Sequence, residues 1–125
     1  MTHEQVQAWL DAYIAAWRSN DSKAIGALFS DDARYRFVPW LEPVVGREAI
    51  VAAWHNDFEE DDPWSAEYRP LDVSGDRVLA TGQTTYHREP LVFENLFVLQ
   101  FDDQGRCTDF TDWYMKHPVA ESDNA

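Results

Sequence analysis

The chain has 125 residues, enough for one domain with a substantial core and too few for two. Its 10 Lys and Arg stand against 23 Asp and Glu, a formal net charge of -13 at pH 7, which argues against nucleic acid and anionic membrane surfaces as partners. No stretch approaches the roughly 18 apolar residues of a membrane span, and the opening MTHEQVQAW is too polar for a secretory h-region, so the expected location is cytoplasmic.

Thr2, His3, Glu4 and Gln5 have the form of a capping box. Val6, Trp9, Leu10, Tyr13, Ile14 and Trp17 then recur at the three-and-one spacing of one helical face, which predicts a helix over residues 3–18. Asn20, Asp21 and Ser22 end it and cap a short second helix through Lys23 to Phe29. Ser30-Asp31-Asp32-Ala33 reads as a turn into a strand from Arg34 to Val38, closed by Pro39, which has no N–H to give a ladder. Trp40 to Gly46 is a loop. A third helix begins near Arg47, places Ile50, Trp54 and Phe58 on one face, and stops before Asp62-Pro63; Glu59-Glu60-Asp61-Asp62 is a solvated acidic end.

Everything after that reads as strand: Trp64 to Ser74, a turn at Ser74-Gly75-Asp76, Arg77 to His87, a break at Glu89-Pro90, and a long hairpin from Leu91 to Lys116 bent at Asp102-Asp103-Gln104-Gly105. On the first arm of that hairpin both alternating sets are apolar, Phe97, Leu99 and Phe101 on one face and Leu96 and Val98 on the other. Both faces of a sheet centre must therefore be covered, and a second copy of the sheet is the economical cover for the face the helices do not reach. Cys107 lies on a strand without a partner and is expected to be a buried, inert thiol. Residues 1–118 form a single expected domain, followed by a polar tail over 119–125.

The order α-α-β-α-β-β-β-β predicts an α+β domain, a curved and mostly antiparallel sheet packed on three helices. Such a sheet, closed at one end by helices, encloses a cone with a cavity at its wide end. Aromatic residues make up 14% of the chain, so large flat side chains must build the core or the walls of that cavity. The candidate walls are Tyr13, Trp17, Tyr35, Trp40, Trp54, Phe58, Tyr86 and Trp113, with plain helical core packing the competing role for Trp17 and Trp54.

Polar residues break the apolar strands at Glu94, Asn95, Asp109 and Asp112. Asp112 alternates with Phe110 and Tyr114, so if that face looks into the cone its carboxyl is desolvated and its pKa raised, as a general acid or base requires. The alternative is a structural ion pair with Arg36, Arg88 or Arg106. Glu94 and His87 lie on neighbouring strands and are candidates for an acid/base dyad, a Glu–Arg cross-strand pair being the plainer arrangement. His55 and Glu59 have metal-ligand spacing, but the third helix offers no second His, so no metal is expected. No Gly-rich phosphate loop, Gly-x-Ser-x-Gly elbow or Cys-x-x-Cys occurs, and the expected chemistry uses no cofactor.

Tyr13-Ile14-Ala15-Ala16-Trp17 with Asn20-Asp21, Leu28-Phe29-Ser30-Asp31-Asp32-Ala33, Gly46-Arg47-Glu48-Ala49-Ile50 and, more weakly, Gly105-Arg106 give the chain its family likeness. It resembles the nuclear transport factor 2-like, SnoaL-like domains of the polyketide cyclase and ketosteroid isomerase type. The resemblance implies the cone fold and spans nearly the whole chain. It sets Tyr13 at the position of the isomerases' oxyanion-hole tyrosine, but puts Phe37 at the place of their general-base aspartate and Phe97 at that of their protonated aspartate, which argues against isomerase chemistry of that kind. For SnoaL-type cyclases it points to an acid near the end of the last strand, Asp112 or Asp109.

Two functions follow as expectations. The first is a homodimeric domain, joined through the sheet face, whose aromatic pocket takes a small, largely apolar organic molecule and acts by acid/base chemistry such as cyclisation, isomerisation or dehydration, using Asp112, Glu94, Tyr13 and His87. The second is a dimeric binding or interaction module with a filled cone and no chemistry.

Overall fold

Helix α1, His3–Ser19, starts where the sequence says it should: Thr2 Oγ1 accepts from Gln5 N at 3.1 Å while Gln5 Oε1 accepts from Thr2 N at 2.9 Å. The computed structural model describes residues 1–58, 63–88 and 91–118. Asn20, in the left-handed region at φ 54, ends α1, and the Asp21 carboxylate caps α2, Ser22–Ala27, by accepting from Ala24 N at 2.9 Å. Helix α3 covers Arg47–Asp57. Strands β1 (Phe29–Arg36), β2 (Val44–Val45), β3 (Trp64–Ser74), β4 (Arg77–Tyr86), β5 (Leu91–Phe101) and β6 (Cys107–Lys116) form one sheet in the order β2-β1-β6-β5-β4-β3. Only β1 with β6 is parallel; the other neighbours are antiparallel. The α+β cone is thus the observed architecture, with β2 as a short addition.

Several details differ from the sequence reading: β1 ends at Arg36, short of the expected Val38, and β2 lies within the stretch expected to be a loop. The Ser30-Asp31-Asp32-Ala33 stretch is strand rather than turn, so β1 begins at Phe29. Its register on β6 shifts between Phe29 and Arg34, which lets Asp31 and Asp32 face solvent inside a strand. Arg47 pins the irregular part: its Nε and Nη2 donate to the Phe29 carbonyl at 3.1 and 2.8 Å, and Nη1 meets Asp31 Oδ1 at 2.7 Å. The second helix also ends earlier, at Ala27, because Phe29 is drawn into the sheet.

Alternation on the meander divides the sheet cleanly. Val78, Ala80, Phe97, Leu99, Phe101 and Phe110 are buried against α1, where Trp9, Leu10 and Tyr13 meet them. Tyr13 and Tyr35 both lie nearly parallel to the Phe110 ring, with centroids at 5.4 and 4.5 Å. Cys107 is buried, donates to the Asp109 carbonyl, and has its thiol pushed up by burial, so it is a core residue. On the opposite face half-buried Leu79, Leu96 and Val98 are flanked by exposed Trp113, Met115 and Leu71. Among the described residues no helix is long and apolar enough to cross a membrane. The expected acidic run at 59–62, the break at 89–90 and the tail at 119–125 lie outside the described residues.

Candidate functional site

The side chains that face the helices change character along each strand. On β5 the inward set runs Phe101, Leu99, Phe97 and then Asn95, Phe93 and Leu91; on β6 it runs Phe110 and then Asp112 and Tyr114; on β4 it runs Val78, Ala80 and then Thr84 and Tyr86. The first members of each set are packed core. The later ones line a cavity of about 820 Å³. Thr84, Asn95 and Asp112 are the residues at which one gives way to the other.

These three are linked, and Tyr68 on β3 joins them. The Tyr68 hydroxyl lies 2.5 Å from Thr84 Oγ1, Thr84 Oγ1 donates to Asn95 Oδ1 at 2.9 Å, and Asn95 Nδ2 donates to both oxygens of Asp112, at 3.1 and 3.3 Å. Tyr68, Thr84 and Asn95 are buried. Burial pushes the Asp112 carboxyl up to about 7, and the Asn95 hydrogen bond holds it from rising further. A carboxyl with that value, next to an aromatic-walled space, can give or take a proton near neutrality. Neither Arg36 nor Arg106 is its partner: Arg36 donates to the Leu41 carbonyl and Arg106 pairs with Asp102.

Trp17, Tyr35, Trp54, Phe58 and Tyr86 also line the cavity, together with Phe37, Trp64 and Phe93. Trp17 stacks on Trp64 with centroids 4.0 Å apart, and the Arg18 guanidinium sits 4.3 Å from the Trp64 ring centre, joining the end of α1 to the start of β3. Trp54 Nε1 is buried in the wall without a hydrogen-bond partner among the described residues.

Six candidates from the sequence stand elsewhere. Tyr13 does not line the cavity; it is buried behind Tyr35, the two hydroxyls 3.2 Å apart, and burial raises both phenols well above 10. Trp113 follows Asp112 and therefore faces the other side of the sheet, where it is exposed. Glu94 precedes Asn95 and is turned outward in the same way, bonded to His117 Nε2 at 2.6 Å and Gln83 Nε2 at 2.6 Å, with its carboxyl held low chiefly by the His117 bond. His87 lies 3.0 Å from Ser65 Oγ instead of meeting Glu94, so the expected dyad does not form. Trp40 is 78% exposed in the loop after β1 and is not part of the cavity wall. Asp109 shares the outward set with Trp113 and is likewise separated from the cavity.

His55 ties helix ends together outside the cavity lining: its Nδ1 lies 3.0 Å from Asn20 Oδ1 and its Nε2 2.8 Å from Ser22 Oγ. Glu59, its proposed metal-spacing companion, is outside the described residues, among which no group of three or more His, Cys, Asp or Glu is placed to hold a metal ion.

The model of the SnoaL-like domain matches residues 10–110. The chain belongs to the SnoaL-like domain family. No curated protein matches it. Among solved structures it is similar to one described as a "putative ketosteroid isomerase" from Kribbella flavida DSM 17836, with a TM-score of 0.70 and 21% identity, covering 94% of this chain and 83% of that one. At that identity the likeness speaks for the fold alone. Within this SnoaL-like domain Phe37 lines the cavity and Phe97 is sealed in the core, so neither position at which the family resemblance would set an isomerase aspartate carries an acid.

Proposed function

We propose that this SnoaL-like domain binds a small, largely apolar organic molecule in the cone and acts on it through Asp112 as general acid or base, in a cyclisation, isomerisation or dehydration needing no cofactor. The observation that carries this reading is the Asn95–Asp112 pair: a desolvated carboxyl with one amide partner, facing a cavity whose other walls are mostly aromatic. Tyr35, backed by Tyr13, supplies the neighbouring hydroxyls. An interaction module with a solid cone fits an 820 Å³ cavity poorly. The domain spans residues 1–118 and pairs with a second copy through the apolar part of the outer sheet face, Leu79, Leu96, Val98, Trp113 and Met115.

The test is a screen of small apolar carbonyl, hydroxyl and epoxide compounds by quenching of tryptophan fluorescence, since Trp17, Trp54 and Trp64 border the cavity. Bound compounds are then assayed for turnover by the native protein and by Asp112→Asn. Loss of turnover with retained binding supports catalysis; equal turnover removes Asp112 from the chemistry, and binding without any turnover leaves a carrier.

A further inference from the structure

An amide can present either end to a carboxyl group, and only its NH2 end stabilises a carboxylate. We infer that Thr84, fixed by the Tyr68 hydroxyl, is the positioning residue that holds the Asn95 amide with its NH2 toward Asp112. The inference deepens the proposed role of Asp112 and rests on that reading for its functional meaning, while its physical content concerns the free protein.

Every step of the chain has one direction. Thr84 gives its only proton to Asn95 Oδ1, so its oxygen is left as an acceptor, and the Tyr68 phenol at 2.5 Å fills it. Tyr68 keeps its proton throughout the neutral range because burial raises it well above 10. With Oδ1 committed to Thr84, the amide nitrogen has to face Asp112, and both carboxylate oxygens lie within reach of it. Reversing the amide would turn two acceptors toward each other at Asp112 unless that carboxyl were protonated, and two donors toward each other at Thr84 unless Thr84 gave up its bond. The strand register provides for the arrangement. Gly82 lies opposite Tyr68 on one side and Asn95 on the other, and a Cβ there would stand 2.7 Å from Tyr68 Cδ1. The bare glycine leaves the Tyr68 ring room to lie across β4 with its hydroxyl at Thr84.

The groups that share this space are Tyr35 from β1, Tyr68 from β3, Asp57 from α3, Tyr86 and Arg88 at the end of β4, and Tyr114 from β6, with Tyr13 from α1 behind Tyr35. Tyr13, Tyr35 and Tyr68 stay neutral across the pH range in which Asp112 titrates, so they do not confuse its readout.

The experiment follows the Asp112 side-chain carboxyl by 13C NMR against pH in the ligand-free protein, assigned with Asp112→Asn. Thr84→Val removes the lock, and the Asp112 midpoint is expected to move up by about one unit as the amide donor is released. Thr84→Ser keeps the hydroxyl and should hold the native midpoint. Tyr68→Phe, which spares the Thr84–Asn95 bond, should move it up by less and serves alone if Thr84→Val does not fold. An unmoved midpoint in folded Thr84→Val, or in Tyr68→Phe where that is the only folded variant, overturns the inference. A serine variant that shifts as far as the valine one does the same. None of these readings depends on a ligand, so failure of the proposed catalysis and failure of the lock are separately visible.

Discussion

Phe97 and Asp112 stand opposite each other in the register of β5 and β6, one sealed in the core and the other at the edge of the cavity. The carboxyl is therefore backed by hydrocarbon where a solvated group would have water, and the cost of ionising it falls on the fold.

That cost predicts a pH dependence. In the unfolded chain Asp112 titrates near its ordinary value of about 4, whereas in the fold it is pushed up to about 7. The native state therefore binds the proton more tightly, and this group's contribution to stability is complete below about pH 4 and is lost as pH rises through 7. Asp112→Asn should match the native protein in unfolding free energy near pH 4 and exceed it at pH 8, by on the order of 4 kcal/mol. Urea denaturation at both pH values checks this, and a difference independent of pH would refute it.

Gly82→Ala should be among the most damaging small substitutions in the sheet. Its Cβ would lie 1.9 Å from the Glu67 carbonyl oxygen, a backbone atom that can yield only if β3 moves. A loss of about 3 kcal/mol or more is expected, read as a lowered urea midpoint or as insoluble expression.

Arg47 is the grip on the irregular start of β1. Replacement by Ala removes two bonds to the Phe29 carbonyl and the Asp31 pair, with an expected loss of about 2 kcal/mol. Arg47→Lys retains the charge but not the fork, and should recover less than half of that. Full recovery by lysine would mean that charge alone mattered.

The outer sheet face predicts the assembly. Trp113→Glu or Met115→Glu places a charge among Leu96, Val98 and Leu79, and should convert a dimer into monomers by light scattering while leaving the circular dichroism unchanged. A native protein that is already monomeric would remove the sheet-face dimer from the proposal.

Much of this was legible in the residues, and the reasons are particular. Helix α1 announces itself by a capping box and an unbroken apolar stripe, and the β5–β6 hairpin by its turn and its alternation. The inward aim of Asp112 was also readable, because it shares parity with Phe110. The same parity argument, pursued one residue further, turns Trp113 away from the cavity and Glu94 away from Asn95; size and polarity had suggested otherwise. Ser30-Asp31-Asp32-Ala33 has the composition of a turn and becomes strand only because β6 and Arg47 hold it, both distant in sequence. Thr84 and Tyr68 could not be found at all without the pairing of β3 with β4, whose register slips between Pro70 and Asp72.

The parallel contact of β1 with β6 has a consequence for how the protein is made. The β3 to β6 meander and the β1–β2 pair close contacts between neighbours in sequence, but β1 joins the meander only through β6, the last of the described strands to be made. Until β6 is in place Trp9 and Tyr13 lack the Phe110 ring, although Phe29, Trp54, Tyr68, Phe97 and Phe101 can already meet them. A nascent chain stalled before β6 should therefore have a sheet split between β1 and β5 and be sensitive to protease, and the insertion of β6 between them is the event that lets the sheet close.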